Sequence, residues 1–410
     1  MHYSLTRATT WNIAGYIYLL VASFISTPIL VQHLGISQFS TYSLILASTI
    51  FVSAINLGLP QAVVRALAID HKFSPRRQTI WATSSLLFIL TGILAGIIAV
   101  GLVYPLHLDL SLLSIIFGIG LVNNLVSHYL TLPQAEGHFG YFNTKTFIIG
   151  TGNTLLAAFL AWRGQGILAI LSAQLLCYLI TLLPLAYFSL KYFPRPRDGK
   201  VSLSEVKSLT TFGLKNWGGK LIGQVQSQYA KYLLASLSPI TLSAYVIAQG
   251  LVQKLAGGVV QLATAIYPAS ARVGLDESFR RLYHKLQFGL LALGLLGVGV
   301  YYLLGLPFLL WWLHDSQLVA LVDSIMRVLV WYFVLLLLTP LPSTILDGVG
   351  RPGLGSLFAF ITTFIEIALA LILFPRYGLF APVYSALIAV VLTTPPLLIV
   401  TNRIMIKSSL

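Results

Sequence analysis

The sequence predicts an all-α polytopic membrane protein, and three observations carry that reading. Of 410 residues, 57% are hydrophobic and only 9% charged, with a mean hydropathy of +0.87, a balance foreign to soluble domains. Apolar runs of about 20 residues recur along the chain, each long enough to cross ~30 Å of hydrocarbon as a helix. The polar connections between them alternate sharply in charge, the pattern left by an excess of cations in cytoplasmic loops. Only helices and closed barrels satisfy every backbone group in lipid, and the length of the runs selects helices.

About twelve transmembrane helices follow, near residues 9–32, 40–62, 79–104, 110–132, 144–162, 166–190, 210–237, 240–267, 284–313, 318–346, 353–374 and 378–402. With both termini on one side, that side collects Arg7, Arg65, Lys72, Arg76, Arg77, Lys145, the cations of 191–207, those of 272–285, Arg351, Arg403 and Lys407. The other side holds Arg163 and Arg376. Both termini are therefore expected in the cytoplasm, and most of the net charge of +14 is accounted for by topology, without a nucleic-acid partner. The first ten residues lack the basic region and cleavage site of a signal peptide, so the first span is expected to stay. One cysteine, Cys177, leaves no internal disulfide and no cysteine-based metal site.

The polar stretch from Lys191 to Ser208, with Pro194, Pro196 and Gly199, divides the chain almost in half. The expected organisation is an N-lobe of 1–190 with spans one to six, a cytoplasmic linker of 191–209, and a C-lobe of 210–410 with spans seven to twelve. The halves repeat one another. At a shift of about 204 residues Asn12 meets Asn216, Gly15 meets Gly219, Tyr16 meets Lys220 and Ser23 meets Ser227. Tyr42 meets Tyr245, and Gly137 to Gly140 meets Gly350 to Gly353. Two pseudo-symmetric six-helix lobes imply an axis along the membrane normal and a central solute cavity.

The seventh span gives that cavity its chemistry. At about 100° per residue, Asn216, Lys220, Gln224, Ser227 and Lys231 fall within about 40° of Lys220, a polar stripe down an apolar helix. A lysine at mid-bilayer costs at least ~2.5–3.5 kcal/mol, so such residues face a bundle interior or a wet cavity. Lys220 lies roughly 15 Å into its span and Lys254 roughly 20 Å into span eight, which lets them share a level in a cationic cavity. Lys215 and Arg65 sit nearer the cytoplasmic mouth and Lys231 near the outer end; snorkelling is the competing reading for Lys215 and Lys231. Asn12, Tyr16, Gln224, Gln228, Gln249, Gln253 and Gln261 are uncharged candidates to meet solute, or interhelical hydrogen bonds. His128 in span four is either a titrating group or a satisfied bundle histidine.

Acids are scarce. Before Asp198 only Asp70, Asp109 and Glu136 occur, all in or near loops. Glu366 lies inside span eleven and is a candidate coupling or cation site, while Asp323 and Arg327, four apart, suit an internal ion pair. Pro28, Pro60 and Pro340 are candidate hinges or static kinks.

Leu34-Gly35, Phe39, Tyr42-Ser43-Leu44, then Asn56-Leu57-Gly58-Leu59, Ala62 and Arg65 resemble the start of polysaccharide (O-antigen) lipid-linked oligosaccharide flippases, of the multidrug, oligosaccharidyl-lipid and polysaccharide exporter superfamily. The twelve-span plan, Asn12, Gly15 and the Gly137-to-Gly140 turn extend the likeness across the chain. Ser40-Thr41 departs from it, standing where many relatives carry a glycine. The resemblance implies a polyprenyl-diphosphate-linked oligosaccharide moved from the cytoplasmic to the outer leaflet of a bacterial cytoplasmic membrane by alternating access. It implies O-antigen, capsule or exopolysaccharide assembly, with membrane lipids and other assembly proteins as partners and no cofactor. A diphosphate in a low-dielectric cavity needs fixed cations. Lys220, Lys254, Arg65, Lys215 and Lys231 are the candidates for it, with Asn12, Tyr16, Asn216, Gln224 and Gln249 for the glycan and Glu366 and His128 for ion coupling.

Two other readings stand beside this one. A cation-coupled small-molecule exporter of the same fold is expected to show a membrane acid in the first lobe, which is missing. A membrane glycan polymerase or glycosyltransferase needs catalytic groups on a sizeable loop, and the non-cytoplasmic loops here are short; no phosphate-cradling glycine loop for ATP appears either.

Overall fold

A computed structural model describes residues 5–70, 74–138, 140–193, 200–272, 277–349 and 351–407. Among them no strand occurs. The chain is a multi-pass membrane protein: eight helical stretches are long and apolar enough to cross a bilayer, and the large apolar side chains left exposed on them, such as Ile17, Val21 and Ile25 on the first and Leu303 on another, are where lipid replaces water. By contact the residues form two compact units, Met1–Gln228 and Tyr229–Leu410.

In unit 1, helix α1 (Leu5–Val52) has two limbs joined at Gly35, whose φ of 73° and ψ of 163° leave the helix for one residue. The loop expected there shrinks to a single hinge because glycine takes positive φ without steric cost. The second limb does not run on to residue 62 as the apolar run suggests. It ends at Val52, turns through 53–58 and restarts as α2 (Leu59–Ile69). Asn56 causes the break: its Oδ1 accepts from the Gly58 amide at 3.1 Å, while Leu57 and Gly58 take φ of 51° and 70°.

Helix α3 (Pro75–Val103) opens with Ser74 as N-cap and Pro75 in the first turn. It packs on α4 (Leu110–Ala135) through small residues: a Cβ placed on Gly120 would come within 2.9 Å of Gly96 Cα, so the two backbones touch. Span five is not one regular helix; α5 (Gly140–Thr151) and α6 (Ala157–Trp162) flank a π-helical turn at Gly152–Leu156. Helix α7 (Ile167–Tyr192) returns and anchors α1, with Gln174 Nε2 donating to Tyr42 Oη at 2.7 Å, both fully buried.

Helix α8 (Leu203–Ala235) carries the unit boundary within it, and it begins inside the stretch expected as linker. Unit 2 continues with α9 (Pro239–Arg272), α10 (Glu277–Leu313), α11 (Ser316–Leu337), α12 (Pro340–Gly348), α13 (Pro352–Tyr377) and α14 (Phe380–Lys407). Span ten is thus two helices, interrupted just before Pro340, which has no amide to continue the ladder. Helices α8 and α9 are 33 and 34 residues long and carry the lysines and glutamines of spans seven and eight.

Candidate functional site

In unit 1 the first half of α8 is fastened to α2, α3 and the turn before α2. Glu205 accepts from Arg76 Nε at 2.9 Å, and the Ser202 amide donates to Thr83 Oγ1 at 3.1 Å. Trp217 Nε1 donates to the Ala54 carbonyl at 2.5 Å. Between these anchors the backbones of Gly58 and Gly213 meet: a Cβ on Gly58 would overlap the Gly213 carbonyl, and one on Gly213 would lie 2.5 Å from the Leu57 oxygen. Two turns further along α2, the Arg65 guanidinium sits 4.6 Å from the centre of the Phe212 ring, a cation–π contact. Phe212 is three residues before Lys215, so Arg65 and Lys215 are held on neighbouring stretches of wall, both exposed. Among the described residues neither enters an ion pair.

The neighbouring cations of unit 1 are spent internally. Arg77 is 1% exposed and pairs with Glu136, and Arg76 bridges Glu205 and Asp70. Removing one partner of the buried Arg77–Glu136 pair strands the other charge, which locks α3 to the end of α4, while the exposed Arg76 adds a weaker tie to α8. His128 is sealed by aromatic rings: Trp81 at 4.1 Å, Phe88 at 5.1 Å and Tyr129 at 5.3 Å between centroids, with Nε2 in a 2.9 Å hydrogen bond to Ser85.

Unit 2 carries ionisable groups inside its spans. Lys231 on α8 and Lys254 on α9 are both half-buried. Sequence spacing sets Lys254 beside Lys220 and leaves Lys231 as an exit contact. The side chains of Lys220, Asn12 and Asn216 lie outside the described residues. Tyr16, Gln224 and Gln249 are half-buried, and Gln224 Oε1 is enclosed without a hydrogen-bond partner among the described residues.

Glu366, 4% exposed on α13, accepts from Tyr229 Oη at 3.1 Å, and its charge also reaches Tyr245 and Tyr332. A phenol on α8 thus hydrogen-bonds a buried carboxylate on α13, an arrangement suited to holding a proton or a small cation. Asp323 and Arg327 form the ion pair their spacing predicts, at 2.8 Å, with Tyr301 Oη donating to the same carboxylate at 2.7 Å. Among the described residues no three His, Cys, Asp or Glu side chains converge as a metal site would require. Phe212, Tyr229 and Tyr332 were not singled out by sequence. Tyr245 was visible only as the repeat partner of Tyr42.

The model of the polysaccharide biosynthesis protein family matches residues 5–273, and that of MatE matches 225–372. The putative O-antigen transporter of Shigella flexneri is 21% identical over 411 residues, covering 95% of this chain and 96% of the relative. Among solved structures, the lipid II flippase MurJ in an inward closed conformation superposes with a TM-score of 0.77 at 13% identity, over 97% of this chain and 89% of that one. An inward-facing multidrug resistance MATE family transporter of the MOP superfamily gives 0.68 at 15% identity, over 100% and 98%. A MOP superfamily transporter from Pyrococcus furiosus, described by a reversed polarity of its binding pocket, gives 0.61 at 16% identity, over 97% and 95%. At these identities the structural likeness establishes the fold.

Proposed function

The chain belongs to the polysaccharide biosynthesis protein family, and on that premise we propose that it is a flippase for a polyprenyl-diphosphate-linked oligosaccharide, not an enzyme. The cargo moves from the cytoplasmic to the outer leaflet of a bacterial cytoplasmic membrane, with both chain termini in the cytoplasm. The twelve-span, two-lobe plan around a cationic cavity, with lobes 1–190 and 210–410 and a linker of 191–209, is part of this proposal. So is service to O-antigen, capsule or exopolysaccharide assembly alongside other assembly proteins.

The observation that carries the reading is the pair Lys231 and Lys254. Cations kept inside membrane spans suit an anionic cargo, and a diphosphate supplies two charges and several acceptor oxygens. Arg65 and Lys215 in unit 1 are the first cations a headgroup meets at the cytoplasmic mouth. Lys220 belongs to the same set, and Asn12, Tyr16, Asn216, Gln224 and Gln249 contact the glycan. Glu366, hydrogen-bonded by a phenol on α8, is the coupling group; His128, sealed among aromatic rings, is the lesser candidate. The cations attract the diphosphate from inside, closure of the cytoplasmic gate follows, and outward opening releases it while the lipid tail stays in the bilayer.

The name of the Shigella relative, a transporter of O-antigen, supports this over a cation-coupled small-molecule exporter. The MatE match to residues 225–372 keeps that exporter as the second reading. The test is leaflet accessibility of a polyprenyl-diphosphate oligosaccharide in proteoliposomes, with and without a proton or sodium gradient. Protein-dependent transfer of the glycan to the far leaflet is expected. Export of an organic cation without glycan transfer would overturn the proposal in favour of the exporter.

A further inference from the structure

The start of α10 does something its role as a membrane span does not require. Phe279 and Tyr283 pack against Leu341, Ile345 and Met405, which fixes that face of the helix to unit 2. The opposite face presents Arg281, His284, Lys285 and Phe288, all exposed, with Leu282 beside them and Arg280 half-buried. Among the described residues Glu277 offsets this charge, pairing with Arg281 at 3.4 Å while both stay more than two-thirds exposed, and Asp276 precedes it in the sequence. Cations so near a helix N-terminus also oppose the macrodipole, so the helix gains nothing from them by itself.

Helix length places this face at a definite depth. Trp311 and Trp312 near the far end of α10 belong at a membrane interface, where tryptophan concentrates. About 30 Å of hydrocarbon at 1.5 Å per residue brings the opposite boundary to about residue 292, and α10 continues outward to Glu277. Phe288, 72% exposed, then lies about 6 Å outside that boundary, where a phenyl ring can lean back onto the upper acyl chains. Lys285, His284 and Arg281 follow through the headgroup layer.

We propose that this face binds the headgroup of an anionic phospholipid of the surrounding leaflet, with Arg280, Arg281 and Lys285 on the phosphate and Phe288 against the upper acyl chains. A cluster of cations immediately flanking a span, with an apolar side chain on the same face, has the charge and the depth for such a lipid. The site is separate from the transported cargo and involves none of the residues assigned to it.

The test titrates the purified full-length chain in neutral detergent with phosphatidylglycerol, with phosphatidylcholine of the same chains, and with soluble glycerol 3-phosphate, reading the melting temperature. Phosphatidylglycerol is expected to raise it saturably, and the other two are not. Arg281→Gln with Lys285→Gln is expected to move the phosphatidylglycerol midpoint about tenfold higher. The control pair Lys200→Gln with Lys207→Gln, exposed in unit 1, is expected to leave it in place. Equal response to phosphatidylcholine or to glycerol 3-phosphate would overturn the proposal, as would an equal shift from the control pair, which would mark an effect of net charge.

Discussion

The two units treat charge differently. Unit 1 closes Arg77 on Glu136 and Arg76 on Glu205 at the ends of its helices, and its spans before α8 hold neutral polar groups such as Gln174 and His128, with Lys145 in α5 the exception. Unit 2 keeps Lys231, Lys254, Glu366 and the Asp323–Arg327 pair inside its spans. Their backbones differ in the same sense. The second span of unit 1 breaks at 53–58, while α9, which carries the repeat partner of Tyr42, runs unbroken for 34 residues. Charges at membrane depth cost several kcal/mol, so a chain retains them where they act. On the function proposed above, unit 2 is the part that would handle ions.

The strongest way to break this comparison is to open the buried pair of unit 1. Glu136→Ala strands Arg77 and should cost ~3–5 kcal/mol, read as a large drop in the melting temperature of the detergent-solubilised protein. Adding Arg77→Leu to it should recover most of the loss; no recovery would mean that Glu136 acts through packing and not through charge. Next comes Gly213→Ala, which forces a methyl into the Leu57 carbonyl and should cost ~1–3 kcal/mol in the same measurement. A neutral result would show that α8 is not seated on the turn before α2.

Glu366→Gln removes the carboxylate and keeps its shape. It should reduce gradient-driven transport about tenfold, the scale of one charge-assisted hydrogen bond, with stability little changed; unaltered gradient dependence would move the coupling role elsewhere. The smallest effect belongs to Arg76→Ala. Its side chain is 61% exposed, and breaking such a pair should cost less than ~1 kcal/mol by chemical denaturation.

Much of this was legible before the structure, because hydrophobic length and charge alternation are properties of the chain alone. The membrane class, the polar stripe of span seven and the Asp323–Arg327 spacing all follow from residue order. The break at 53–58 does not. Hydropathy sees only an apolar run through Asn56, whereas the break needs the Asn56 side chain to cap Gly58 and Gly213 to lie against it, 155 residues away in sequence. The same limit hid Tyr229, whose hydroxyl meets Glu366, 137 residues away in sequence, only once α8 and α13 are packed.

The central claim is that the lysines of unit 2 carry an anionic, lipid-linked cargo. Its most direct test compares wild type with the double variant Lys231→Gln and Lys254→Gln. The measurement is the initial rate of polyprenyl-diphosphate oligosaccharide transfer in proteoliposomes, with matched protein and equal melting temperatures. Loss of two charge-assisted contacts at ~1.5–3 kcal/mol each predicts a fall of at least about a hundredfold. Equal rates from the two proteins would contradict the account.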